Sequence, residues 1–205
     1  MKKVFLLFLS LLSLDLSAQN DTTRAASEIA AFQKKLDEEY KDPKQSPLEP
    51  KDLPKFNGHE FFAVDLSYRV TAKFVRVENA SFFQLKTTTT RLSTERIYAF
   101  AEFTLKDKQF RLPIYQSKDL MASAEYADYL FFPFSDLTNG KGSYGGGRYI
   151  DLRIPPQGQE WIIIDFNQAY NPYCAYNHKY SCPLVPEANQ MDIEVPAGVK
   201  VPQKI

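Results

Sequence analysis

The chain has 205 residues, with 25 Lys and Arg against 25 Asp and Glu, and an aromatic complement of 16 Phe and 12 Tyr. That length suits one domain able to bury a full core, and the aromatic richness favours sheet. A balanced charge supplies no basic face, so nucleic-acid binding is set aside.

The opening stretch, MKKVFLLFLSLLSLDLSAQN, places Lys2 and Lys3 before an apolar run from Val4 to Leu16 and reaches small residues at Ser17-Ala18. This is the layout of a secretory leader, with cleavage expected after Ala18, and it is too short and too abruptly ended for a spanning helix. Residues 1–18 are therefore read as a signal peptide and the protein as periplasmic or secreted. An anchor left uncleaved is the alternative. No cysteine lies near the cut to carry a lipid, and no later stretch is apolar for long enough to cross a bilayer.

Residues 21–42 predict one helix. Ile29, Phe32, Leu36 and Tyr40 recur at steps of three and four, Asp21 or Thr22 can cap the start, and Pro43 ends it. Pro43, Pro47, Pro50 and Pro54 then make an extended strap. Residues 19–55 are read as a helix and strap packed on the outside of a β domain of residues 56–205, with a partner-binding arm as the alternative.

From Phe62 the period changes to two. Val64, Leu66, Tyr68, Val70, Ala72 and Phe74 share one face, which predicts a long half-buried strand. ERIYAFAEFTL and KQFRLPIY repeat the alternation about Lys106-Asp107 and predict a hairpin, with Pro113 at an edge or a bulge. Further strands are expected at residues 129–132, 148–154, 161–166 and 193–195. The fold class is mainly β: an antiparallel sandwich or barrel-like roll with one N-terminal α-helix.

Cys174, His178 and Cys182 form C-x3-H-x3-C. A closed zinc site needs four ligands, usually with tighter cysteine spacing, whereas two nearby cysteines in an exported chain most simply form a disulfide. The disulfide is the expectation, with metal and free thiols as rivals. It would clasp a loop that follows WIIIDF, where Asp165, Asn167, Tyr170 and Asn171 offer a polar site at the mouth of a sheet. The competing account is that Asx side chains there only bind nearby backbone.

In GSYGGGRYIDLRI, Arg148 shares parity with Ile150, Leu152 and Ile154, the apolar face, while Tyr149, Asp151 and Arg153 share the other. An inward guanidinium needs a carboxylate of its own chain, Asp136 or Asp165, or an anionic ligand. His59, in FNGHEFF, is read as a solvated turn residue. The chain has no G-x-S-x-G, H-E-x-x-H or C-x-x-C, and no cofactor or metal is assigned.

FFPFSDLTNGKGSYGGGRYIDL, IIIDFNQAYNPYCAYNHKYSCPLVP and VPAGVK, with FFAVDLSYRVTAKF and SPL upstream, resemble the bacterial family catalogued as domain of unknown function 1684. The resemblance covers most of the chain beyond the leader. It implies no activity, but it implies that Asp136, Tyr144, Arg148, Asp151, Asp165, Asn167, Tyr170, Asn171, Cys174 and Cys182 belong to a shared pattern. The chain departs from that pattern at Ala188 and Val199, where glutamate is usual, and at His178, which weakens an essential carboxylate or metal ligand at those positions.

The leading expectation is an exported protein that binds a small polar or anionic ligand, such as a sugar or acidic metabolite. Arg148 would meet its charge, Asp165, Asn167 and Asn171 would orient it, and Tyr144 and Tyr170 would give flat contact. On this reading Arg148→Ala abolishes binding and leaves thermal stability nearly unchanged. Two alternatives stand: a hydrolase using two of Asp136, Asp151 and Asp165, and a structural or interaction module of the cell envelope.

Overall fold

The computed structural model describes residues 2–203, with side chains for Gln19 and residues 21–203. Helix α1 spans Lys2–Lys41. The expected leader, residues 1–18, lies outside the residues whose side chains are described. Along the rest of α1, Ala25, Ile29, Leu36 and Tyr40 are buried and Phe32 is half-buried, so the narrow apolar stripe faces the domain. Among the described residues no helix is long and apolar enough to cross a membrane.

Among the described residues seven strands follow: β1 (Arg69–Arg76), β2 (Phe83–Lys86), β3 (Leu92–Leu105), β4 (Lys108–Ser117), β5 (Tyr129–Phe134), β6 (Arg148–Arg153) and β7 (Trp161–Asp165). They form one antiparallel sheet in the order β6-β5-β4-β3-β1-β7, with β2 added to β3. The hairpin between β3 and β4 turns at Lys106 and Asp107, both at positive φ (49° and 63°). The sheet curls until its end strands, β6 and β7, flank a single seam, so the barrel-like roll is the architecture observed. One isolated bridge stitches the seam: the Tyr149 and Tyr170 backbones exchange N–H···O bonds of 2.9 and 3.0 Å. Inside, Phe166 packs edge-on against Phe132 and Phe134 and touches Phe103.

Three strand expectations are corrected. The first strand begins at Arg69 rather than Phe62, because the Asp65 carboxylate accepts from the Ser67 N–H and folds residues Leu66–Tyr68 into a turn; Val64 is left 48% exposed. Residues 193–195 form no strand, since the Val195 N–H and C=O are taken by the Asp136 and Arg148 side chains. Strand β2 was not expected: it is only four residues long and mostly exposed, so its brief alternation builds no buried face. Pro113 sits in the central strand β4, yet its carbonyl accepts from Asn189 Nδ2 at 2.9 Å. A strand residue's N and O point to the same side, so the missing N–H faces a loop side chain and no ladder bond is lost.

Helix α1 docks through polar links as well as its stripe. Arg69 bridges Glu28 of the helix (2.9 Å) and Asp165 at the end of β7 (2.8 Å). Asp37 accepts from the backbone N–H of His59 (2.8 Å) and pairs with its Nδ1 (2.7 Å). His59 is not a solvated turn residue: its side chain is 2% exposed, ringed by Tyr40, Phe56, Phe61 and Tyr176. Because Asp37 can only accept, Nδ1 carries the proton and the unpartnered Nε2 is a bare lone pair.

Candidate functional site: the two faces of strand β6

Strand β6 presents opposite chemistry on its two faces. Its first inward residue, Arg148, is 0% exposed. Nη2 binds Asp136 Oδ1 (2.9 Å) and the Val195 carbonyl (2.8 Å), while Nη1 donates to the carbonyls of Ala197 and Val199. Asp136 is equally enclosed. Its second oxygen accepts from the N–H and hydroxyl of Thr138 and from the Val195 N–H. The guanidinium carbon also stands over the ring of Phe134, 5.1 Å from its centre. This network fastens the C-terminal segment across the end of the barrel, so of the two partners foreseen for Arg148 the chain uses Asp136. Arg148 cannot reach a ligand, and this corrects its expected role.

Two glycines let that segment come so close. Gly147 (φ 84°) would set a Cβ 2.7 Å from the Phe134 carbonyl oxygen, and Gly198 (φ 75°) would set one 2.6 Å from that of Ala169. A side chain at either position would meet backbone that has nowhere to move.

The expected loop residues are also absorbed by structure. Asn167 is 1% exposed and grips both the N–H and the C=O of Asp65 at 3.0 Å, replacing a strand partner. Asp165 is held by Arg69 and by the N–H and amide of Asn167. Asn171 donates to Tyr176 Oη and the Lys200 carbonyl, and its own Oδ1 is buried without a partner. Tyr144 is half-buried beside Cys174, and burial pushes its phenol up. The sequence-based site therefore splits. Arg148, Asp136, Asn167 and Asn171 are enclosed, Asp165 reaches only the floor of a shallow groove, and Tyr170 alone faces the larger one.

That larger groove lies between α1 and the outer face of β6, beside the seam, with a volume of about 470 Å³. Phe32, Lys35, Leu36 and Glu39 form its helical wall; Tyr149, Asp151, Arg153, Tyr170 and Tyr173 form the other. A shallower groove of about 240 Å³ continues along β6 and β7 and shares Asp151, Arg153 and Gln168 with it. At their junction stands Asp151. Its Oδ1 accepts from Tyr129 Oη (2.8 Å) and Tyr170 Oη (2.5 Å), and among the described residues nothing binds its Oδ2. Burial, reinforced by the Asp151 charge, raises both phenols well above their usual range, so they remain neutral donors. Sequence reading counted Asp151 among possible catalytic carboxylates and among the positions of the shared pattern, but not among the ligand-binding residues. The usable signal was its parity, opposite to Arg148; Tyr129 and the helical wall came from distant sequence.

Cys174 and Cys182 are buried neighbours, not bonded to each other in this structure, with the Cys174 N–H 3.2 Å from Cys182 Sγ. The Cys182 thiol holds its partner's pKa below the usual thiol range, while that contact and burial push its own up. His178 is exposed, and among the described residues no three His, Cys, Asp or Glu side chains gather to hold a metal. Of the three carboxylates named for the hydrolytic alternative, Asp136 and Asp165 are both tied to arginines.

A nearly closed antiparallel β-roll, with one helix laid along its seam, is thus the class of fold. Residues 54–200 match the family described as Protein of unknown function (DUF1684), and the chain belongs to that family. Among solved structures it is similar to the solution NMR structure of the uncharacterized protein from gene locus rrnAC0354 of Haloarcula marismortui. The two share 33% sequence identity with a TM-score of 0.69, over 88% of this chain and 96% of that one. No curated protein matches the chain.

Proposed function

We propose that this is an exported binding protein that takes a small polar ligand in the groove between α1 and β6. The observation that carries the reading is Asp151: two phenols orient its carboxylate, and one oxygen is left for a guest in a groove of about 470 Å³. That volume falls within the usual range for small-molecule sites, and the lining combines aromatic walls with a few convergent polar groups. Tyr170 keeps the contact role given to it from the sequence, while orientation passes from Asp165, Asn167 and Asn171 to Asp151.

The test is a 15N NMR titration with a panel of small neutral, anionic and cationic metabolites. Shifts are expected to cluster at Asp151, Gln168 and Tyr170. A panel that moves none of those resonances would refute the reading.

Export rests on the leader-like pattern of residues 1–18. In an oxidising compartment the adjacent sulfurs of Cys174 and Cys182 would close to a disulfide behind the groove wall that Cys182 and Tyr173 help to form. The mature chain is expected to begin at Gln19 and to weigh two hydrogens less than its reduced form. A chain recovered with Met1 and two free thiols would contradict both points.

A further inference from the structure

Resting on the groove as the binding site, we infer that its ligand carries a positively charged amine, seated on Asp151 and against the tyrosine faces. Every other charge lining the groove meets a group of opposite sign. Lys35 pairs with Glu39 one helical turn away, at 3.6 Å. Arg153 turns outward to Asp128 at 2.7 Å and to the Glu125 carbonyl. In the continuing shallow groove, Arg24, Glu28, Arg69 and Asp165 form a chain of alternating sign with contacts of 2.8–2.9 Å. Those charges cancel in pairs. Asp151 is the exception, since its bonded partners are phenols and bring no positive charge.

The surroundings fit a cation in shape as well as sign. The hydroxyl of Tyr149 is committed to the Pro183 carbonyl and that of Tyr170 to Asp151, so what these residues offer the groove is ring surface; Tyr173 adds a third ring at the rim, 41% exposed. Aromatic faces attract a partly desolvated cation, and a carboxylate beside them adds a charge-assisted hydrogen bond. An anionic guest would meet an uncompensated carboxylate, and a neutral one would leave that charge without a partner as water is displaced. The anion suggested by Arg148 is thus replaced by its opposite.

Three probes that share a phenol ring and differ in charge decide the matter: tyramine, 4-ethylphenol and 4-hydroxyphenylacetate, titrated into the 205-residue chain at pH 7 by 15N NMR. Tyramine is expected to bind at the groove about tenfold more tightly than either counterpart, corresponding to one charge-assisted contact. The preference should shrink in high salt and vanish in Asp151→Asn. Equal or tighter binding of the neutral or anionic probe at the groove would overturn the amine assignment and leave the groove as the site. Groove resonances that respond to none of the three would remove the site itself. An Asp151→Asn chain that fails to fold would also overturn the inference, because the carboxylate would then be structural.

Discussion

Arg148 and Asp151 stand three residues apart on β6, and the strand sends one into the barrel and the other toward helix α1. The arginine spends its Nη donors on Asp136 and three carbonyls, whereas the aspartate accepts from two neutral phenols and keeps an oxygen free. Both looked functional as isolated charges in a sequence. What separates them is access: Arg148 is sealed inside the barrel with its Nη donors paired and even its unpaired Nε out of reach, whereas Asp151 keeps an oxygen on the groove side.

The inward member should fail hardest when changed. Arg148→Met leaves the Asp136 carboxylate buried without its counter-charge, and urea unfolding is expected to show a loss of about 3–5 kcal/mol. This reverses the sequence-based expectation of an unchanged melting point for Arg148→Ala. Removing both charges in Arg148→Met/Asp136→Asn should recover part of the loss. A single variant as stable as the parent would erase the contrast between the faces.

Next comes the glycine that brings the backbone to that network. Gly147→Ala puts a Cβ at positive φ against the Phe134 carbonyl, and a loss of about 1–3 kcal/mol is expected in the same assay. A neutral result would mean that the segment is free to shift.

Of similar or smaller size is the cysteine link. If Cys174 and Cys182 are bonded after export, reduction should lower stability by roughly 2.5 kcal/mol in the chain-entropy estimate for so short a loop. Identical melts with and without reductant would speak against a bond there.

A smaller effect comes from the seam's own helix. Burial pulls the His59 imidazole below its usual range, against the opposing pull of Asp37. The unfolded chain then binds the proton more strongly, so stability that is full above the unfolded value of about 6.5 is lost as pH falls through the folded one. Between pH 7 and pH 5 the parent should therefore lose more melting temperature than His59→Phe, which fills the aromatic ring of neighbours without titrating. Parallel pH profiles would show that His59 does not sense the proton in this range.

Much of the sheet was legible because its code is local. Alternation in residues 70–74, 99–105 and 148–154 reads out a face directly, and Lys106-Asp107 marks its own turn, whereas the irregularity between Ile97 and Ala99 sends Ile97 to the other face. The inward parity of Arg148 was legible for the same reason, and with it the need for a counter-charge, though not which of Asp136, Asp165 or a ligand supplies it. Where side chains replace strand partners the code broke down: Asn167 holding Asp65 and Asp136 holding Val195 depend on contacts 102 and 59 positions apart. The groove was illegible on the same grounds. Tyr129 meets Asp151 through the pairing of β5 with β6, Tyr170 reaches it across the seam, and Lys35 joins the groove only where α1 lies alongside.

The most direct test of this account is the unfolding free energy of the parent and of Asp151→Asn, each with and without 10 mM tyramine. Without tyramine the two should agree within about 1 kcal/mol, as befits an exposed group, and only the parent should gain stability when it is added. An Asp151→Asn chain several kcal/mol weaker on its own, or one stabilised by tyramine as much as the parent, would contradict the claim that this carboxylate is kept for a ligand.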